Sequence, residues 1–102
     1  MFAGLWEKWK SKADQTEPIE TCCIMTMDAN AYSAKIHNRM PVIVEPQHYE
    51  LWLDPDMHSR GDLENVLQPY HWVEKMQAWP VGKYVSRPDN NDKRCLERVK
   101  VG

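Results

Sequence analysis

The apolar segments of this chain are short, and their shortness limits the folds that the chain can adopt. None approaches the ~20 apolar residues of a membrane-spanning helix, and each is soon interrupted by polar residues or proline. Segments of this kind are typical of short strands and short helices. With 102 residues, the chain is expected to form one domain with one modest core.

Residue patterns predict the order of these elements. Aromatic and β-branched runs indicate strands, which we place at Phe2–Trp9, Glu20–Met27, Pro41–Val44, Lys83–Ser86 and Cys95–Val101. Helical patterns indicate short helices, which we place at Ala29–Lys35, Gln47–Leu53 and Asp62–Leu67. Asp28 is a good N-cap for the first helix, and Pro46 suits the first turn of the second. The strand Glu20–Met27 is expected to be buried on both faces, because it is apolar with only Thr interspersed.

The connections between these elements vary too much in length for regular βαβ units. The sequence therefore predicts an α+β fold, with a mainly antiparallel sheet and short helices. Polar loops are expected at Lys10–Pro18, Asp54–Gly61 and Arg87–Lys93.

Charge and cysteine content exclude several classes of protein. The net charge is −2, and no run of like charges forms a basic tail, so composition alone does not predict strong non-specific nucleic-acid binding. The three cysteines include the adjacent pair Cys22 and Cys23 and no C-x-x-C motif, which favours a reducing, cytoplasmic protein. The dispersed histidines His48, His58 and His71 lack metal-ligand spacing, so we expect no metal and no cofactor.

Five separated motifs carry a more specific signal. They read A-G-L-W-E-K-W at Ala3–Trp9, C-I-M-T-M-D-A-N at Cys23–Asn30, H-N-R-M-P at His37–Pro41, W-L-D-P at Trp52–Pro55 and V-S-R-P-D-N-N-D at Val85–Asp92. In this order they resemble the C-terminal half of the domain of the SOS response-associated peptidase (SRAP) family. The resemblance covers essentially the whole chain. It implies a single partial SRAP domain over residues 1–102, with an incomplete β-barrel-like core.

Other parts of the family pattern have no counterpart in this sequence. SRAP proteins begin Met-Cys-Gly-Arg, and removal of the Met exposes the nucleophilic cysteine, whereas this chain begins Met1-Phe2. The motifs that supply an asparagine and a glutamate to the family's site are also absent, and Glu7 does not replace that glutamate. The internal thiols Cys22, Cys23 and Cys95 lack a free α-amine. We therefore expect the chain to be catalytically silent by itself.

The resemblance also implies a function. In SRAP proteins the amine and thiol of the N-terminal cysteine close a ring on the aldehyde of an abasic site in single-stranded DNA. By the same resemblance His37 transfers protons, Arg39 contacts a phosphate and Thr26 adds a hydroxyl contact to the phosphate. The implied partners are abasic single-stranded DNA and a separate N-terminal SRAP fragment, and no membrane is expected.

Two alternatives remain open from the sequence: a non-enzymatic DNA-binding or assembly module, and a gene remnant without function. Half a sheet would leave an unpaired edge, at Phe2–Trp9 or Glu20–Met27, which predicts poor solubility, dimerisation or dependence on a partner. The aromatic residues in the second half could stack on bases, but packing against the missing half is the favoured interpretation; they are Trp52, Tyr70, Trp72 and Trp79.

Overall fold

In the described part of the chain, four short strands and two short α-helices make up the regular structure. The computed structural model describes residues 1–13, 17–56 and 59–101. The strands are β1 (Gly4–Trp9), β2 (Ile19–Ile24), β3 (Thr26–Asp28) and β4 (Arg39–Pro41), and the helices are α1 (Tyr49–Leu53) and α2 (Arg60–Val66). Single 3-10 turns cover Ser33–Lys35, Pro46–His48, Val73–Lys75, Lys83–Ser86 and Lys93–Leu96. The predicted α+β class is confirmed.

The strands form two separate antiparallel pairs rather than one sheet. β1 pairs with β2 and β3 pairs with β4, and the described residues do not close a barrel. Among those residues, no helix has the length and apolarity needed to cross a membrane. The predicted loops Lys10–Pro18 and Asp54–Gly61 each include residues outside the described ranges. His58 also lies outside them.

A ring of three backbone hydrogen bonds joins the two pairs of strands. The amide of Ala3 donates to the carbonyl of Val42 at 2.8 Å, the amide of Val42 donates to Met25 at 2.9 Å, and the amide of Met25 donates to Ala3 at 2.9 Å. The amide of Val44 extends the contact by donating to the carbonyl of Met1 at 2.8 Å. The segment before β1 therefore holds the start of β3 and the end of β4 at one point.

The core lies beside this ring. Ala3, Val42, Val44 and Val66 are all 3% exposed or less and pack together as one cluster. The partly buried residues around it come from the strand junction and both helices: Met25, Met27, Tyr49, Leu51, Trp52 and Leu67. Val66 anchors α2, so a few β-branched side chains hold the helices against the strands.

The hairpin of β1 and β2 extends away from the core. Every residue in both strands is exposed, including Trp6 at 69% and Ile24 at 58%. The radius of gyration is 17.8 Å, whereas a compact domain of this length has about 13 Å. The expectation that Glu20–Met27 is buried on both faces is wrong, because β2 is exposed along its whole length and only Met25 and Met27 pack, partly buried, against the core. Cys22 and Cys23 are likewise exposed thiols rather than core residues.

Several predicted boundaries also differ from the structure. The strand Glu20–Met27 is broken at Met25, where the backbone turns from β2 into β3. The strand expected at Pro41–Val44 begins earlier, at Arg39, and ends at Pro41, after which the chain continues extended against residues 1–3. Of the three predicted helices, Gln47–Leu53 and Asp62–Leu67 are confirmed within one or two residues, whereas Ala29–Lys35 contains only the 3-10 turn Ser33–Lys35.

The predicted strand Cys95–Val101 forms one isolated antiparallel bridge, between Arg98 and Val81. Elsewhere near the C-terminus the 3-10 turns Lys83–Ser86 and Lys93–Leu96 replace the predicted strands. A side-chain network holds them: the hydroxyl of Tyr84 donates to Asp92 at 2.7 Å, and Arg94 donates to the same carboxylate at 2.9 Å. The guanidinium of Arg94 also lies 4.5 Å from the centre of the Tyr84 ring. Asn90 donates its side-chain amide to the carbonyl of Tyr84 at 2.8 Å. Side chains thus satisfy backbone groups that a strand ladder would otherwise satisfy.

This network predicts a measurable pH dependence. The hydrogen bonds from Arg94 and then Tyr84 hold the pKa of Asp92 below its usual range, while the hydrogen bond to Asp92 raises the pKa of Tyr84 to about 12. The stability that Asp92 contributes is present above its unfolded-state pKa, near ~4, and is lost as pH falls through the folded value. The stability that Tyr84 contributes is present below pH ~10 and is lost as pH rises towards ~12.

We therefore expect Asp92→Asn to return the pKa of Tyr84 towards ~10, as followed by NMR of labelled tyrosine side chains, with Tyr84→Phe to assign the signal. The melting temperature of Asp92→Asn should also fall less than that of the wild type between pH 5 and pH 2. An unchanged Tyr84 titration in Asp92→Asn would contradict the assigned network.

Candidate functional site

The short hairpin of β3 and β4 gathers the candidate residues on one face. The register opposes Thr26 to Pro41, Met27 to Met40 and Asp28 to Arg39. Because side chains alternate along a strand, Thr26, Asp28 and Arg39 share the outer face, while Met40, only 4% exposed, lies on the inner one. The hairpin thus buries its methionines and presents its polar residues to solvent.

Arg39 is the centre of this face. Its Nη1 donates to Oδ1 of Asp28 at 2.8 Å, and its Nη2 donates to the hydroxyl of Thr26 at 3.2 Å. The Arg39 side chain is 46% exposed and that of Asp28 is 96% exposed. The structure therefore brings Arg39 and Thr26, both identified from the sequence, into direct contact. It also places the carboxylate of Asp28, which was predicted to cap a helix, beside Arg39.

His37 lies in the loop that connects the two strands. Its backbone amide donates to the carbonyl of Ser33 at 3.0 Å, and its Nδ1 accepts a hydrogen bond from the backbone amide of Arg39 at 2.9 Å. Because Nδ1 is an acceptor, the neutral ring carries its proton on Nε2. The exposed ring therefore offers Nε2–H as a hydrogen-bond donor beside the backbone of Arg39.

Asn30 fixes the shape of this loop. Its Oδ1 accepts from the amide of Ser33 at 2.9 Å, and its Nδ2 donates to the carbonyl of Tyr70 at 2.7 Å. The amide of Ala29 closes the base of the loop by donating to the carbonyl of Asn38 at 3.0 Å. One amide side chain thus joins the loop that carries His37 to the segment near residue 70.

The residues of this face can bind an anion but are not arranged to hold a metal. Within the described part of the chain, no three His, Cys, Asp or Glu side chains could share an ion. The guanidinium of Arg39 has five N–H donors in a planar fork that fits phosphate or carboxylate. Two of these donors are used by Asp28 and Thr26, which leaves donors for a ligand.

Several aromatic rings of the second half contact basic side chains of the same chain. The guanidinium of Arg98 lies 4.9 Å from the centre of the Trp79 ring, and Trp79 Nε1 donates to the carbonyl of Leu96 at 2.8 Å. Lys75 lies 5.0 Å from the centre of the Trp72 ring, and Trp72 Nε1 donates to Glu45. These rings therefore have partners within the chain.

Two residues of the site were missed from the sequence. Asp28 was predicted to cap a helix, but it ends β3 and pairs with Arg39, and the N-cap of the 3-10 turn Ser33–Lys35 is Tyr32. Asn30 was noticed only as part of a motif. The alternation of Thr26 and Asp28 along a strand, opposite a basic residue, is the signal that could have revealed the ion pair.

Comparison with known proteins identifies a family whose model matches this chain. Residues 1–88 match the model of the family described as SOS response associated peptidase (SRAP). The abasic site processing protein YoaM of Bacillus subtilis is 40% identical over 96 residues, which are 94% of this chain and 41% of that protein. The abasic site processing protein HMCES of Gallus gallus is 29% identical over 99% of this chain and 29% of its own length.

A solved structure has a similar fold. The crystal structure of a protein from Bacteroides thetaiotaomicron superposes with a TM-score of 0.79 at 29% identity, over 97% of this chain and 43% of that protein. This chain therefore spans less than half the length of each of these relatives.

The side-chain hydrogen bonds of Asn30 to Ser33 and to Tyr70 can be separated by mutation. We expect Asn30→Ala to lower the free energy of unfolding by about 1–2 kcal/mol, since it leaves the amide of Ser33 and the carbonyl of Tyr70 unpaired. Asn30→Asp keeps the acceptor for Ser33 but places an ionised oxygen against the carbonyl of Tyr70, so its stability relative to the wild type should improve below pH ~4, where the protonated carboxyl can donate to Tyr70. Urea unfolding measures both, and the backbone amide signal of His37 should shift in Asn30→Ala. Equal stability of Asn30→Ala and the wild type would show that Asn30 does not hold the loop.

Proposed function

Because the chain belongs to the SOS response associated peptidase (SRAP) family, we propose that its β3–β4 face helps to recognise abasic sites in single-stranded DNA. The observation that carries the proposal is the convergence of Arg39 and Thr26 on one exposed face, with His37 hydrogen-bonded to the backbone of Arg39. The names of the relatives, which are abasic site processing proteins, support it.

Each of the three residues has a role in this proposal. Arg39 binds a backbone phosphate, because its guanidinium fits two phosphate oxygens, and Thr26 adds a hydroxyl beside it. His37 presents Nε2–H to the sugar, where a donor polarises the oxygen that leaves carbon 1 during ring opening. The aldehyde formed in this way is the group that an amine attacks, with loss of water, to give an imine.

Closure of the thiazolidine ring on that aldehyde needs an amine and a thiol on one residue, and position 1 of this sequence is Met rather than Cys. We propose that the chain corresponds to the C-terminal half of an SRAP domain and forms no crosslink alone. The order of its motifs and its span of 41% of YoaM support this. Cys22, Cys23 and Cys95 are free thiols without a free α-amine, so none can close a thiazolidine ring. We also propose that the peptidase activity named in the family's description requires the remainder of the domain, and that the protein is cytoplasmic.

A gel assay with an abasic oligonucleotide tests the proposal. We expect no heat-stable crosslink from the chain alone, because the ring requires an amine and a thiol on one residue. In fluorescence anisotropy, Arg39→Gln should weaken reversible binding of the same oligonucleotide about three- to tenfold, since one phosphate contact is lost.

Arg60→Gln is the matched control for that assay. Arg60 is also exposed and also paired with a carboxylate, that of Glu64 at 3.0 Å, but it lies on α2, away from the candidate face. Equal effects of Arg39→Gln and Arg60→Gln on DNA binding would count against the candidate face. A crosslink formed by the chain alone would refute the proposal that it forms none without the rest of the domain.

The exposed hairpin favours a second function, that of an assembly module. An isolated two-stranded hairpin is at best marginally stable in water, yet β1 and β2 carry apolar side chains on both faces. Trp6 and Ile24 lie on one face, and Leu5 and Trp9 lie on the other. We infer that this hairpin docks on a polypeptide that supplies the remainder of an SRAP fold.

Co-expression with the part of YoaM that this chain does not match tests the second function. We expect a one-to-one complex in light scattering, and Ile24→Ser should weaken it at least tenfold by removing an apolar contact. Ile36→Ser is the control, because Ile36 is also exposed, at 73%, but lies outside the hairpin. If both variants bind as well as the wild type, the hairpin is not the docking surface.

A further inference from the structure

The arginine that is to bind phosphate already has an anionic partner. Asp28 and Arg39 are directly opposite each other on β3 and β4, and their ion pair is 2.8 Å long. Resting on the proposed function, we propose that Asp28 is a positioning residue that aligns Arg39 for phosphate and also limits its affinity for single-stranded DNA. Intact single strands then dissociate readily from the site, and DNA is retained only where an abasic sugar adds its own contacts.

The geometry supports the alignment. Asp28 and Thr26 are two residues apart on one strand and hold Nη1 and Nη2 of the same guanidinium. These two contacts fix the plane of the fork against the outer face of the hairpin. The remaining N–H groups are available to a phosphate without displacement of Thr26. Loss of the acceptor at position 28 would leave the long arginine side chain free to adopt other rotamers.

The charges support the limit on affinity. A phosphate that approaches Arg39 meets the carboxylate of Asp28 within hydrogen-bond distance of the same guanidinium. Because the Asp28 side chain is 96% exposed, water and salt screen this repulsion, so its effect is modest. Exposed charge pairs at such distances change an equilibrium by about two- to fivefold. The repulsion by Asp28 weakens the binding of every backbone phosphate equally, whether or not the neighbouring sugar is abasic.

Three variants separate these two effects. Asp28→Asn removes the charge and keeps an oxygen acceptor at the same place. Asp28→Ala removes both the charge and the acceptor. Glu64→Gln removes a carboxylate from the exposed ion pair with Arg60 and controls for the change in net charge. The probes are two labelled single-stranded oligonucleotides, one with a single abasic site and one intact, titrated in anisotropy at several salt concentrations.

We expect Asp28→Asn to bind both oligonucleotides about two- to fivefold more tightly than the wild type. Its salt dependence should also be steeper, by at most ~0.7 in the slope of log K against log salt. The gain in Asp28→Ala should be smaller, because Arg39 loses its alignment, and Glu64→Gln should match the wild type. A purely structural role of Asp28 predicts weaker binding, so the sign of the change distinguishes the two.

Equal or weaker binding by Asp28→Asn, with an unchanged melting temperature, would overturn the inference. If neither the wild type nor Asp28→Asn binds DNA, the proposed function fails, and inorganic phosphate decides the role of Asp28. In that case NMR signals of the Arg39 side chain are followed during titration with phosphate. Tighter phosphate binding by Asp28→Asn supports the inference, and equal binding refutes it.

Discussion

The closed ring of hydrogen bonds between Ala3, Met25 and Val42 is the constraint on which the remaining structure depends. Each of the three residues donates to one of the others and accepts from the third, so three segments that are distant in sequence are fixed at one point. From that point the β1–β2 hairpin extends into solvent and the β3–β4 hairpin lies over the core. Ala3 is fully buried, so a larger side chain there would force the segments apart.

Much of the element order can be predicted from the sequence, because local patterns determine it. The aromatic run of β1 and the helices near residues 50 and 63 lie where their residues predict them. The exposure of β2 could not be predicted in this way, since an apolar strand is buried only where another layer covers it. The C-terminal turns have strand-forming residues such as Val85. However, Asn90 and Asp92 bind the backbone and hydroxyl of Tyr84, and this network favours a compact turn.

The candidate site was predictable only in part for a related reason. The motif H-N-R-M-P identifies His37 and Arg39 by resemblance, and residue type alone suggests their chemistry. Their relation to Asp28 depends on the register across a loop, which the bond between Ala29 and Asn38 closes. That register turns an apparent helix cap into the counter-charge of the arginine. The direction of the hydrogen bond at His37 Nδ1 is likewise a property of the folded loop and not of the residue.

The candidate site is also local in the chain, since Thr26, Asp28, His37 and Arg39 all belong to one short hairpin and its loop. Closure of a loop this short costs little entropy and takes place in well under a microsecond. The loop can therefore close early in folding, but its two three-residue strands become stable only when the distant contacts of Ala3 and Tyr70 are made. Because one short stretch of coding sequence holds all four residues, a single insertion or deletion within it would change the register that sets Arg39 opposite Asp28.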